Sequence, residues 1–456
     1  RYINRWNLKK ANPHQKLSKP VEPVVYWLEN TIPIEFREAV TRGILAWNKA
    51  FEKIGFIDAI VVKQMSDDAE WDPADARYNT IRWFIQPGSG YAVGPSRANP
   101  YTGELYDADI RIGADFVRGF YREFDEFVVP VTEKELKNMW TESDEREDMH
   151  HCEYSHVLHN KMSLGWHHLV ANNYIAGSDR ELKKYVHDGL VDLVLHEVGH
   201  TLGLRHNFKA SSIFSIEQLS DKYFTQQFGI SGSVMDYHPV NLFDGGNTIF
   251  QTKPGPYDDW AIEYGYTPTN RYNQEEILDN IAGNSNHPLL TYGTDEDTFG
   301  RSSRGIDPHS SLWDLSNDPI HYYINQLALV NNLWSKLIYK FKIDGNRYQK
   351  IRSVFSQGIG EYIHAGISAP KFIGGIYFHR NHIGDPGDQN PFEIVNPEKQ
   401  REALNFLTEH IFGKEVFNFS PELLNMLSPE RHEDFHDYAW RLDRIDYPIH
   451  NVVRRI

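Results

Sequence analysis

The eleven residues His196-Glu197-Val198-Gly199-His200-Thr201-Leu202-Gly203-Leu204-Arg205-His206 constrain this chain more than any other stretch. His196 and His200 are four apart, so on a helix both imidazoles project from one face, one turn above the other, close enough to bind one metal ion. Glu197 sits beside them. A carboxylate next to a metal-held water is placed to take its proton, and Zn²⁺ brings the pKa of such a water down to about 7. Gly203 falls where the helix should end, and glycine can turn a chain out of a helix through a left-handed conformation. That turn would return His206 as a third ligand. Three neutral nitrogen ligands leave a fourth position for water or substrate, which distinguishes a catalytic zinc site from a closed structural one. The pattern reads as metal-assisted hydrolysis.

Downstream lies Ser231-Gly232-Ser233-Val234-Met235-Asp236-Tyr237. With this segment the sequence resembles the metzincin clan of zinc endopeptidases, in which the three-histidine motif is followed by a tight turn carrying a methionine beneath the metal. Met235 matches that methionine. Tyr237 resembles the tyrosine that astacin-like and serralysin-like members place near the zinc, where it binds the metal or donates a hydrogen bond to the developing oxyanion. The resemblance implies one catalytic Zn²⁺ on His196, His200 and His206, with Glu197 as general base and acid. A peptide or protein is the implied substrate. A structural Ca²⁺ is left open, and no ligand pattern points to one. A metzincin core followed by a large helical C-terminal region is similar to exported bacterial zinc metalloproteases of largely uncharacterised function, which implies a periplasmic, cell-surface or secreted location. Asn207 follows the third histidine where matrix metalloproteinases carry Ser or Asp, and no cysteine-switch pattern occurs, which sets the chain apart from that branch.

At 456 residues the chain can bury a substantial core, and its net charge of −16 argues against nucleic acid as a partner, because phosphate binding needs a cationic face. Cys152 is the only cysteine, so no internal disulfide can form. No apolar run approaches the roughly 20 residues that span a bilayer. Starting at Arg1 without a methionine or a signal pattern, the sequence reads as a mature form or part of something longer. Oligomeric state is not legible.

Along the chain, residues 1–22 read as a polar, basic arm. Residues 24–28 form a short β-rich run. Pro33 opens a helix with Phe36, Val40, Ile44, Trp47, Phe51 and Ile54 on one face, and Gly55 stops it. Strand candidates follow at 59–63 and 80–85. Strand, helix, strand, strand predicts an α+β fold with a twisted mixed sheet, as in the metzincin upper subdomain. Residues 106–113 resemble the metzincin edge strand, so Ala108, Asp109 and Ile110 are candidates for pairing with an extended substrate.

A helical insertion is expected at about 125–180. Its histidines, including His150, His151, His156, His159, His167 and His168, fit no ligand pattern. The active-site helix is expected over 186–202, a loop over 207–230, a pocket wall at 238–243 and a closing helix at 258–266. Residues 23–267 thus make the peptidase domain. The Gly, Asn, Asp and Ser-rich stretch to about 312 reads as linker or wrapped loop, and the region 268–456 is otherwise mostly helical. Two rivals stand beside the endopeptidase: a zinc-containing peptide-binding or scaffold protein without turnover, and a zinc hydrolase acting on other amides or esters or only at chain ends.

Overall fold

The computed structural model describes residues 3–85, 92–117, 154–243, 248–298, 305–385 and 389–428. Its first half is built on a five-stranded sheet. Val24, Tyr26 and Leu28 alternate buried with half-exposed neighbours, which makes Val24–Leu28 strand β1. Helices α1 (Ile34–Ala46) and α2 (Asn48–Lys53) follow, then β2 (Ile60–Gln64), β3 (Asn79–Phe84), β4 (Ala92–Val93), β5 (Ser96–Ala98), β6 (Leu105–Ala108) and β7 (Ile110–Gly113). The sheet order is β2-β1-β3-β7-β4, parallel except for β4.

The expected helix from residue 33 to 55 is therefore two. It breaks at Trp47, whose indole N–H donates to the Leu195 carbonyl at 3.0 Å, and it ends at Gly55 with φ 95°.

Residues 106–113 are not one edge strand, and this corrects the expectation for Ala108, Asp109 and Ile110. The run splits at Asp109. β6 turns away to pair with β5, and β7 lies inside the sheet between β3 and β4. The cause is a buried polar knot: Asp109 accepts from the Thr80 hydroxyl at 2.7 Å, and the Ala108 amide donates to Asn79 Oδ1 at 3.1 Å. Those groups are consumed within the fold. Among the described residues the sheet ends at β4.

Helix α3 (Tyr154–Ala171) is the described part of the expected insertion; His150, His151 and Cys152 lie outside the described residues, as does the side chain of His156. Helix α4 (Asp179–Thr201) carries the first two histidines of the motif. Where a loop was expected over 207–230, the chain makes a 3₁₀ turn at Ala210–Ile213 and two short helices, α5 (Ile216–Ser220) and α6 (Lys222–Phe228). Ser215 forms a capping box with Gln218, and Asp221 caps α6.

Then come α7 (Pro256–Tyr266), α8 (Gln274–Ala282), the single turn α9 (Asp295–Thr298), and two long antiparallel neighbours, α10 (Pro319–Phe341) and α11 (Tyr348–Ser368). A small hairpin of β8 (Ile376–Phe378) and β9 (Phe392–Ile394) precedes α12 (Pro397–Phe406) and α13 (Pro421–Leu424).

Apolar burial falls into two clusters. One joins the sheet, α1, α4 and α7, and reaches forward to take Trp313. The other is centred on α10 and α11 and also takes Leu164, Phe214, Leu219 and Ile230. Helix α3 ties them together, since Lys161 pairs with Glu361 of α11 at 2.7 Å with both side chains buried. The arm is docked as well: the Trp6 indole donates to the Thr201 carbonyl at 2.9 Å and the Arg5 guanidinium to the Gly265 carbonyl at 2.6 Å. No helix among the described residues is long and apolar enough to cross a membrane.

Candidate metal centre

Helix α4 begins at a Ser178–Glu181 capping box, earlier than its apolar pattern suggests. Every residue from Gly189 to Gly199 is buried. A helix buried on all sides is a core element, and its ligand face is held from every direction. At its end the chain turns at Gly203, φ 94°, where any Cβ would collide with the Asn4 carbonyl of the docked arm. His206 swings back from this turn.

The three imidazoles then converge. Ring centroids lie 4.8 Å apart for His196 and His200, 4.7 Å for His200 and His206, and 5.5 Å for His196 and His206. One nitrogen from each lies within 4.8 Å of the others. The remaining nitrogens are tied outward: His196 Nδ1 to the Val234 carbonyl at 2.7 Å, His200 Nδ1 to the Leu204 carbonyl at 3.2 Å, and His206 Nδ1 to the Asp295 carboxylate at 2.8 Å. Carbonyls and carboxylates only accept, so each Nδ1 carries a proton, and in the neutral imidazole Nε2 is then the atom that presents a lone pair.

Burial pushes His196 well below its ordinary pKa and takes His200 down to about 3, with the neighbouring histidines adding to both shifts. They are therefore neutral, which is the ligating form. His206 Nε2 is buried with no hydrogen-bond partner among the described residues. A tetrahedral-preferring cation with three imidazole donors fits this set, and zinc is the ion whose chemistry matches it.

Glu197 is buried at the second position of the motif. Its carbonyl lies 2.6 Å from where a Cβ on Gly94 would stand, so the end of edge strand β4 runs against the helix at this residue. Met235 is fully buried beneath the same helix, and a Cβ at Gly199 would collide with its sulfur. Its turn is fastened by Asp258 at the start of α7, which accepts from the Val234 amide at 2.8 Å and the Gly255 amide at 2.7 Å. The ring of Tyr237 lies 4.8 Å from that of His206 and 5.6 Å from that of His196. The structure thus brings His196, His200, His206, Met235 and Tyr237 together, with Glu197 on the same helix, and leaves Ala108 at the end of β6, Asp109 at the break and Ile110 in β7 inside the sheet.

Four neighbours escaped the motif reading. Tyr154 stacks on His196 at 4.5 Å and donates its hydroxyl to Asp192 at 2.9 Å. Trp313 stacks on Tyr154 at 5.5 Å, and its amide donates to the Tyr237 carbonyl at 2.6 Å. Asp295 holds His206; burial pushes its carboxyl up, but the hydrogen bond and charge of His206, with hydrogen bonds from its own amide and Thr294, together bring it down to about 2. Asn207 was noticed only as a departure from a related branch. For Asp295 the sole sequence signal is the acidic run 295–297, which looks like solvent-facing loop.

A second acidic group, Asp318, His321 and Glu402, already contains a cation: the Lys399 ammonium lies 2.6 Å from Asp318 and 3.1 Å from Glu402.

The family comparison supports a metalloprotease of the metzincin clan. Residues 178–456, more than half of the chain, match the Met-zincin family, and the chain belongs to that family. The match opens at Ser178, the cap of α4, and takes the ligand helix and the whole C-terminal region as one unit. No curated protein and no solved structure matches it.

Proposed function

We propose that the protein is a zinc-dependent endopeptidase. The observation that carries this is the orientation of the three histidines, each with Nδ1–H spent on an outer acceptor and Nε2 turned inward. Bound zinc supplies Lewis acidity, polarising the scissile carbonyl and lowering the pKa of a water towards about 7. Glu197 takes the proton of the attacking water on its carboxylate and hands it to the leaving nitrogen. Tyr237, packed on His206, donates a hydrogen bond to the oxyanion. Met235 serves as the Met-turn residue, filling the space that Gly199 leaves open under the helix.

The Ala92 amide of end strand β4 donates to Ser155 Oγ at 2.8 Å, so that strand edge is engaged within the fold, as are residues 108–110, first expected to pair with an extended peptide. Digestion of a diverse peptide library tests the endopeptidase proposal. Internal cuts by the native protein that vanish in Glu197→Gln support the reading, and cuts confined to chain ends contradict it. Bound zinc with no cuts in either protein would favour the peptide-binding alternative. Export rests on the resemblance alone and is checked by fractionating cells that make the full-length gene product.

A further inference from the structure

The third histidine differs from the other two in its support. His196 and His200 stand on a buried helix and give their Nδ1 protons to neutral backbone carbonyls. His206 stands on a loop past Gly203, and its Nδ1 partner is a carboxylate 89 positions away.

That carboxylate sits on a strap, residues 291–298, which docks on the chain leaving His206. The amide side chain of Asn207 does the docking. Its Oδ1 accepts from the Gly293 amide at 3.2 Å, its Nδ2 donates to the Thr291 carbonyl at 3.0 Å, and the next amide, Phe208, donates to the Gly293 carbonyl at 2.6 Å. Two residues further along the strap, Asp295 reaches back to His206. The far side is clamped too. Tyr292 stacks on Tyr257 of α7 at 5.5 Å and lies under the Arg380 guanidinium at 5.2 Å, and Arg380 also pairs with Asp297 at 2.5 Å.

Resting on the reading of His206 as a metal ligand, we infer that Asn207 and Asp295 are positioning residues for the metal centre. Asn207 docks the strap, and Asp295 on the strap orients the third ligand. A loop histidine has no helix to fix its ring, so a charge-assisted hydrogen bond sets the ring's tautomer and direction. Metal affinity is thereby governed from the C-terminal region, through a strap that neither touches the metal nor belongs to the histidine motif.

The test is the zinc dissociation constant, measured by chelator competition on the full chain, with the melting temperature of the metal-free protein followed in parallel. Asp295→Ala should weaken zinc by about 10–100-fold, the usual cost of losing an outer-shell partner. Asp295→Asn should lose less, since its amide oxygen can still accept. Asn207→Ala should weaken zinc as well, and the double variant should be no weaker than the worse single one, because both act through one strap. Where Asp295→Ala fails to fold, Asp295→Asn and Arg380→Gln carry the test, the latter loosening the strap without touching a ligand. Native zinc affinity in all variants that fold overturns the inference, and so does a loss matched by an equal fall in metal-free stability. A native protein that binds no zinc overturns both this inference and the metal reading, whereas zinc binding without peptide cleavage overturns only the peptidase.

Discussion

Helix α4 and the segments 291–298 and 305–316 hold the same centre by opposite means. The helix satisfies its backbone internally and is wrapped in apolar side chains from Gly189 to Gly199. Residues 305–316 are irregular, with Trp313 and Ser316 in the left-handed region at φ 60° and 84° and with Asp307, Ser310, Ser311 and Asp314 buried. They are held by side chains instead. Lys209 pairs with Asp307 at 2.7 Å, and Lys371 donates to the Ser310 carbonyl at 2.7 Å. Apolar packing places two ligands as a by-product of folding, while the third needs a polar frame brought from far along the chain. Buried polar frames act only when every member is paired, so the two supports should fail differently.

The largest effect should come from the helix itself. His200→Ala removes a ligand, and elemental analysis of the purified variant should find zinc lost together with all peptide cleavage. Next, Glu197→Gln should keep zinc while kcat falls by about 10²–10⁴-fold, separating chemistry from metal retention on one helix turn. Lys161→Met, far from the zinc, leaves Glu361 buried and unpaired and should cost about 3–5 kcal/mol in denaturant unfolding. Removing both charges, as Lys161→Met with Glu361→Met, should recover much of that loss.

Gly199→Ala drives a Cβ into the Met235 sulfur and to 3.0 Å from Trp47, and should cost about 1–3 kcal/mol. The smallest is Ser178→Ala, which removes the cap at the remote end of α4 and should lower the melting temperature by about 1–2 °C without changing zinc affinity. A loss of zinc affinity in Ser178→Ala, matching that of strap variants, would erase the distinction between the two supports.

What could be read in advance follows the same division. The histidine spacing, strand β1 and the apolar face of α1 are local patterns, and each stands where its residues put it. Strand order is not local. Residues 106–113 have the alternation of a half-exposed strand, but the contacts of Asp109 with Thr80 and of Ala108 with Asn79, each across 29 positions, break the run and leave β7 inside the sheet. Helices α5 and α6 are too short for periodicity to show, although their caps Ser215 and Asp221 are plain in the sequence. The strap was the least legible, since a polar run such as Asp295-Glu296-Asp297 looks the same whether it faces solvent or His206.

The central claim is that Glu197 acts as the base of a zinc peptidase built on His196, His200 and His206. One preparation each of the native protein and Glu197→Gln, assayed together for zinc content and for internal peptide cleavage, tests it most directly. The account predicts one zinc per chain in both, with cleavage in the native protein only. Equal cleavage by the two proteins at equal zinc content would contradict it.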